Sequence, residues 1–133
     1  ALGRRSTHDP LGVPGKVDAY PQVAYGRFVV IVETRVFTTR IHGLLSDEDY
    51  RHLQLALAAR PTAGSVIPGA GGLRKIRWAG SGRGKRGGVR IVYYWHPASE
   101  QLLMLFVCAK NERADLTAEQ RRLLRRVVET EYP

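Results

Sequence analysis

No aspartate or glutamate occurs between Tyr50 and Ser99 of this 133-residue chain. The same stretch holds nine lysines or arginines, and seven of them lie between Arg74 and Arg90. Elsewhere twelve basic residues balance twelve acidic ones, so the net charge of +9 lies wholly in this segment. Concentrated like charge repels itself, and a polyanionic partner is the usual physical reason to keep it. Together with a pI near 10.3, this indicates nucleic acid ahead of an anionic membrane surface.

Cysteine and long apolar runs are nearly absent. Cys108 is the single cysteine, which excludes a disulfide within the chain and fits a reducing cytoplasm. It lies in the longest apolar run, residues 102–109, and is predicted to be a buried core thiol. That run is far shorter than the roughly 18 residues of a membrane-spanning helix, so we expect no membrane partner.

The histidines show no spacing typical of metal ligands, either with one another or with Cys108. We therefore expect neither a metal ion nor another cofactor. The histidines are His8, His42, His52 and His96.

The length suits one folded domain. Residues 1–26 are rich in glycine, proline and polar residues and have no apolar period. This composition predicts a flexible, disordered arm, or an extension ahead of the true start. The folded domain is expected over residues 27–133.

Seven elements are predicted within that domain. Four segments have the apolar or alternating character of strands: residues 28–32, 73–79, 89–95 and 101–109. Thr34, Ser46 and Thr117 are the expected N-caps of three helices, and Pro61 ends the second helix. The order β-α-α-β-β-β-α predicts an α+β domain with one twisted, mainly antiparallel sheet and helices packed on it.

Alternation along the strands predicts which cations meet, because successive side chains point to opposite faces. Lys75 and Arg77 share one face, and the apolar residues next to them point the other way, toward the helices. On the following strand the more apolar set is assigned to the core, which leaves Arg90 and Tyr94 on the open face. Neighbouring strands lie under about 5 Å apart, so three cations and a phenol are expected in one concavity.

Such a concavity suits a phosphodiester. Arginine binds two phosphate oxygens at once and stays charged, and a lysine crowded by other cations can give up its proton. RNA supplies its own nucleophile, the 2′-OH, so a protein needs only to align it and stabilise the phosphate. Charge and alternation leave two readings open, namely RNA cleavage and a non-catalytic phosphate-binding face.

Several motifs together resemble a known family. They are Leu44-Leu-Ser-Asp-Glu-Asp-Tyr, Pro68-Gly, Gly71-Gly-Leu-Arg-Lys-Ile-Arg-Trp-Ala, Gly82-Arg-Gly-Lys-Arg-Gly-Gly-Val-Arg-Ile-Val-Tyr-Tyr-Trp and Lys110-Asn-Glu-Arg-Ala-Asp-Leu-Thr. From residue 28 to about residue 131 the chain resembles the RelE/ParE superfamily of toxins from bacterial type II toxin–antitoxin modules. The HigB-like branch is the most similar.

The resemblance implies the compact microbial-RNase-like toxin fold and a bacterial cytoplasmic protein. It also implies an activity, ribosome-dependent cleavage of mRNA by 2′-OH attack without a metal, and a small helix-turn-helix antitoxin as partner. Lys75 and Arg77 stand where the family has its proton acceptor and charge stabilisers. Arg90 stands where the family grips the scissile phosphate.

Two positions depart from the RelE pattern. Asn111 stands where RelE has an arginine, and Thr117 stands near the place of a tyrosine. We take Tyr94 as the candidate replacement for that phenol, which completes a predicted catalytic set with Lys75, Arg77 and Arg90. Further contacts to RNA are expected from Arg74, Arg83, Lys85, Arg86, Lys110 and Asn111.

Two other functions stay open at this point. One is a ParE-like toxin that binds DNA gyrase and does not cut RNA. The other is a basic RNA-binding module without catalysis. A gyrase binder has no need of the three cations on one sheet face, and this favours the endoribonuclease.

Overall fold

The computed structural model describes residues 16–24, 27–80, 88–110, 112 and 115–133, with residues 16–24 and 27 described by their backbone. Within these residues the chain forms strands and helices in the following order: β1 (Lys16–Ala24), β2 (Arg27–Thr34), α1 (Arg35–Ile41), α2 (Asp47–Ala59), β3 (Ser65–Val66), β4 (Arg74–Ala79), β5 (Gly88–His96), β6 (Gln101–Ala109) and α3 (Ala118–Glu131). None of the helices in this part of the chain is long and apolar enough to cross a membrane.

The strands form one mixed six-stranded sheet in the order β1-β2-β6-β5-β4-β3. β2 and β6 pair in parallel, and the other neighbouring strands pair antiparallel. The architecture is therefore α+β, as the sequence predicts.

Two strands were not predicted. Residues 16–24 lie within the expected flexible arm, but their backbone forms β1 and pairs with β2, so the arm is corrected over this range. Pairing with β1 occupies the edge of β2, which would otherwise present its backbone N–H and C=O groups to solvent. Pro21 argues against a strand in the sequence because proline has no N–H to donate, but it is tolerated on an edge strand such as β1. β3 is only two residues long and gives no periodic signal. Residues 1–15 lie outside the described residues.

The three predicted helix starts are confirmed. The side chains of Thr34, Ser46 and Thr117 each accept a hydrogen bond from the backbone amide three residues later. Thr117 also forms a capping box with Gln120. α2 ends at Ala59, two residues before Pro61.

Helices cover both faces of the sheet. α1 and α2 pack over one face, where Phe37, Ile41 and Leu53 meet Ile91 and Tyr93 of β5. α3 packs over the other face through Val127 and Val128, which meet the buried side chains of Leu73, Val92, Leu103 and Leu105. The predicted apolar faces of β4 and β5 are confirmed, since Ile76, Trp78 and Trp95 also lie against the α1–α2 core.

Tyr93 anchors the loop between α2 and β3. Its hydroxyl donates to the Pro61 carbonyl oxygen at 2.7 Å and accepts from the Gly64 amide at 2.9 Å. Burial raises the pKa of the Tyr93 phenol above its ordinary value of 10.0, and the Gly64 hydrogen bond and the Arg74 charge oppose this shift only in part. A Cβ at Gly64 would lie 2.8 Å from both the Lys75 carbonyl oxygen and the Tyr93 ring. Glycine is therefore required there.

Replacing Tyr93 by phenylalanine should lower the free energy of unfolding by about 1–3 kcal/mol, because a buried carbonyl and a buried amide both lose their partner. Urea denaturation followed by tryptophan fluorescence measures this. Tyr94→Phe is the matched control, since the described residues supply no hydrogen bond to the Tyr94 hydroxyl. Equal losses in the two variants would contradict the anchoring role.

The raised pKa of Tyr93 also predicts a pH dependence. The folded protein holds the phenol proton at pH values where the unfolded chain has released it. The resulting stabilisation is full below the unfolded-state pKa of about 10 and is lost as the pH rises through the higher folded-state value. Above pH 10 the unfolding free energy of the wild type should fall more steeply than that of Tyr93→Phe. Parallel slopes would argue against this prediction.

Candidate nucleic-acid interface

The pairing of β4 with β5 brings three predicted cations to one face of the sheet. Arg77 lies directly opposite Arg90, and Lys75 lies opposite Val92. Directly opposed Cβ atoms in an antiparallel pair are about 4.5–5.5 Å apart, so the two arginines are immediate neighbours. Lys75 and Arg77 are exposed, whereas Arg90 is half-buried. The predicted grouping of Lys75, Arg77 and Arg90 on one face is confirmed.

Lys110 adds a fourth cation to this face. Its amide donates to the Gly88 carbonyl oxygen at 3.2 Å, just after the end of β6. Its side chain lies across Gly88, and a Cβ built there would come within 3.0 Å of the Lys110 Cδ. Since Gly88 and Arg90 are two residues apart on β5, they share a face. We call Lys75, Arg77, Arg90 and Lys110 the cation cluster.

α3 leaves the cation cluster open to solvent. The helix buries Leu73 and Val92 on the same face of the sheet, while Lys75 and Arg77 next to them stay exposed. The segment before α3 reaches the edge of the cluster, where the Asp115 carboxylate lies 3.5 Å from the Lys75 ammonium. Side-chain exposures of 54% for Lys75 and 72% for Asp115 make this a solvated ion pair that an incoming anion can replace.

Tyr94 shares the face of the cluster but lies at the far end of β5. Tyr94 lies four positions along β5 from Arg90, a distance of about 13 Å along a strand. Its ring packs in an aromatic group, 5.7 Å from the ring of Tyr132 and 6.4 Å from that of His96. It also covers Gly72, whose Cβ position is 3.1 Å from the Tyr94 ring. Tyr94 thus shares the face of the cations and lies two residues along β5 from Val92, the partner of Lys75, while its ring packs against Tyr132 just after α3. Its place in the catalytic set stays a prediction.

Arg74 points away from the cluster. It shares the opposite face of β4 with Ile76, and its guanidinium donates to the carbonyl oxygens of Thr62 at 3.3 Å and Gly64 at 2.8 Å. Both bonds hold the loop that Tyr93 anchors, which gives Arg74 a structural role. The expected contact of Arg74 with RNA stays a prediction.

The remaining predicted residues lie elsewhere. Arg83, Lys85, Arg86 and Asn111 lie outside the described residues. Thr117 is the N-cap of α3. A tyrosine at this position could not form the same capping hydrogen bond to the Gln120 amide. Among the residues that the structure describes, no three of His, Cys, Asp and Glu lie close enough together to hold a metal ion.

The sequence did not predict the contacts of Arg40 and Asp115. Arg40 of α1 donates to the Val107 carbonyl oxygen and to the carboxylate of Glu112, beside Lys110. Their separation of 72 residues along the chain leaves no local pattern from which to predict the contact. Asp115 and Lys75 are likewise distant, 40 residues apart along the chain.

Comparison with models of known protein families finds no match for this chain.

Replacing Asp115 by asparagine should strengthen RNA binding about two- to fivefold, because Asp115 repels a phosphate that approaches Lys75. Fluorescence anisotropy with a labelled 2′-O-methyl oligoribonucleotide measures binding without cleavage. Asp47→Asn is the control, since it removes the same charge from an exposed position on α2, across the sheet. Unchanged binding in Asp115→Asn, or an equal gain in both variants, would contradict a local effect.

Proposed function

We propose that this protein is the toxin of a bacterial type II toxin–antitoxin module and acts as a ribosome-dependent endoribonuclease on mRNA. The observation that carries the proposal is the opposed pair Arg77 and Arg90, flanked by Lys75 and Lys110, on an exposed part of the sheet. Lys75, Arg77 and Arg90 stand at the positions that the resemblance assigns to catalysis. The fold supports it too, since β2, α1, α2, β4, β5, β6 and α3 follow the implied order.

The proposed reaction is an internal transfer at phosphorus. The ribose 2′-oxygen attacks the adjacent phosphorus, its proton is removed, and the bond to the 5′-oxygen of the next nucleotide breaks. The products are a 2′,3′-cyclic phosphate and a 5′-hydroxyl end. Arg77 and Arg90 hold the phosphate and stabilise the charge that builds on its oxygens. Lys75, in its neutral form, accepts the 2′-OH proton, and water gives a proton to the departing 5′-oxygen. This chemistry needs no metal ion from the protein.

The proposed partners follow from the same assignment. The ribosome and its mRNA present the polyanionic surface that the acid-free segment complements. A small helix-turn-helix antitoxin, rich in acidic residues, would cover the cluster and keep the toxin inactive in the cytoplasm.

A non-catalytic RNA-binding module is the second candidate, and one observation favours it. The Tyr94 ring packs against Tyr132 and lies about 13 Å along β5 from Arg90, so the described surroundings of Arg77 and Arg90 consist of cations and the Asp115 carboxylate. Cations alone suffice to hold a phosphate backbone. A ParE-like gyrase inhibitor is less favoured, because its action does not require a phosphate-sized group of cations.

Replacing Arg77 by alanine tests the proposal. Arg77 is exposed, so the variant should keep its thermal unfolding temperature. Growth arrest on induction should disappear, and cleavage of mRNA in a translation extract should fall by at least about 100-fold. Arg51→Ala is the matched control, because Arg51 is an exposed arginine on α2, on the other side of the sheet.

Mapping of mRNA 5′ ends after induction of the wild type separates the candidates. New ends on translated messages support the endoribonuclease. Intact messages with altered plasmid supercoiling would favour a gyrase inhibitor, and intact messages with salt-sensitive ribosome binding would favour the binding module. Equal cleavage by Arg77→Ala and Arg51→Ala would show that the cation cluster does not take part in catalysis.

A further inference from the structure

Where β2 ends, two side chains supply hydrogen bonds to the free edge of β6. β2 pairs with β6 over residues 101–104 and then turns into α1. Beyond that point the Leu105 carbonyl oxygen accepts from the Thr34 hydroxyl at 2.9 Å. The Val107 carbonyl oxygen accepts from the Arg40 Nε at 2.7 Å. These two side chains replace the missing backbone partners and hold the last part of β6 in place.

Arg40 continues from this edge to the turn that follows β6. Its terminal nitrogen Nη2 lies 3.1 and 3.3 Å from the two carboxylate oxygens of Glu112. Glu112 closes the turn on itself, because its carboxylate accepts from the Ala109 amide at 3.0 Å and its own amide donates to the Ala109 carbonyl oxygen at 3.0 Å. The Arg40 guanidinium also lies over the Phe106 ring, 5.3 Å from its centre. Arg40 is therefore fixed at several points.

Lys110 lies inside this closed turn, between Ala109 and Glu112. Its amide bonds back to Gly88, and its side chain crosses the face that carries Arg90. The lysine side chain has a flexible four-carbon stem. Its ammonium group therefore stays near the arginines only if the backbone of the turn is held in place.

We propose that Arg40, acting through Glu112, is a positioning residue that holds Lys110 in the cation cluster. Arg40 lies on α1, and its guanidinium is bound to the Val107 carbonyl oxygen and to Glu112. What Lys110 binds, a phosphate of the RNA, rests on the proposed function.

A double-mutant cycle tests whether Arg40 acts through Lys110. The probe is a fluorescein-labelled 2′-O-methyl oligoribonucleotide, which cannot be cleaved, and the readout is anisotropy over a series of salt concentrations. The variants are Arg40→Gln, Lys110→Ala and the two combined. Arg35→Gln removes the same charge from an exposed position on the same helix and measures the effect of net charge alone.

We expect Arg40→Gln and Lys110→Ala each to weaken binding roughly three- to tenfold and to lower the salt dependence by about one counterion. In the Lys110→Ala background, Arg40→Gln should add no more than the effect of Arg35→Gln. Combined with Arg77→Ala, by contrast, Arg40→Gln should keep its full effect, because Arg77 is held by β4. Full additivity with Lys110→Ala would overturn the proposal.

Hydrogen exchange of the amides in residues 105–112 gives a readout that needs no RNA. Arg40→Gln should speed exchange in this segment and leave the amides of β4 unchanged. Glu112→Gln keeps an acceptor for the Ala109 amide but removes the ion pair, so it should give a smaller effect in the same place. Unchanged exchange in both variants would overturn the positioning role. Faster exchange with no RNA binding by the wild type would instead count against the proposed function.

Discussion

The register between β4 and β5 is the constraint on which the rest of the molecule depends. Arg77 lies opposite Arg90, and Ile76 lies opposite Ile91, so one face of this strand pair is basic and the other is apolar. A slip of β4 by one residue would carry Arg77 into the α1–α2 core and turn Ile76 away from it. One pairing thus builds both the core and the cation cluster.

Opposed arginines repel each other, and the sheet tolerates them because its other face is well buried. Ile91 and Tyr93 are fully buried under α1 and α2, which favours this register whatever occupies the basic face. Exposure of Lys75 and Arg77 lets solvent screen the repulsion. A bound phosphate would remove it, and the geometry is therefore suited to an anionic ligand.

Local signals predicted most of the fold. Thr34, Ser46 and Thr117 cap their helices because an N-cap depends on a hydroxyl and the amide three residues later, both within one short segment. β1 was missed because an edge strand is held by backbone pairing rather than by an apolar pattern of its own. The surroundings of Arg74 and Tyr94 were not predicted for another reason. Alternation assigns a side chain to a face, but it does not indicate which loop or helix covers that part of the face.

The sequence by itself determined seven of the nine described elements, the acid-free segment and the face on which Lys75, Arg77 and Arg90 meet, because these follow from local spacing along the chain. Tertiary structure alone decided that α3 buries Val92 and leaves the cations open, that Tyr94 joins Tyr132, and that Arg40 reaches Glu112. Each of these contacts joins residues far apart in the chain. Their geometry depends on how the helices pack on the sheet, which no local pattern of residues records.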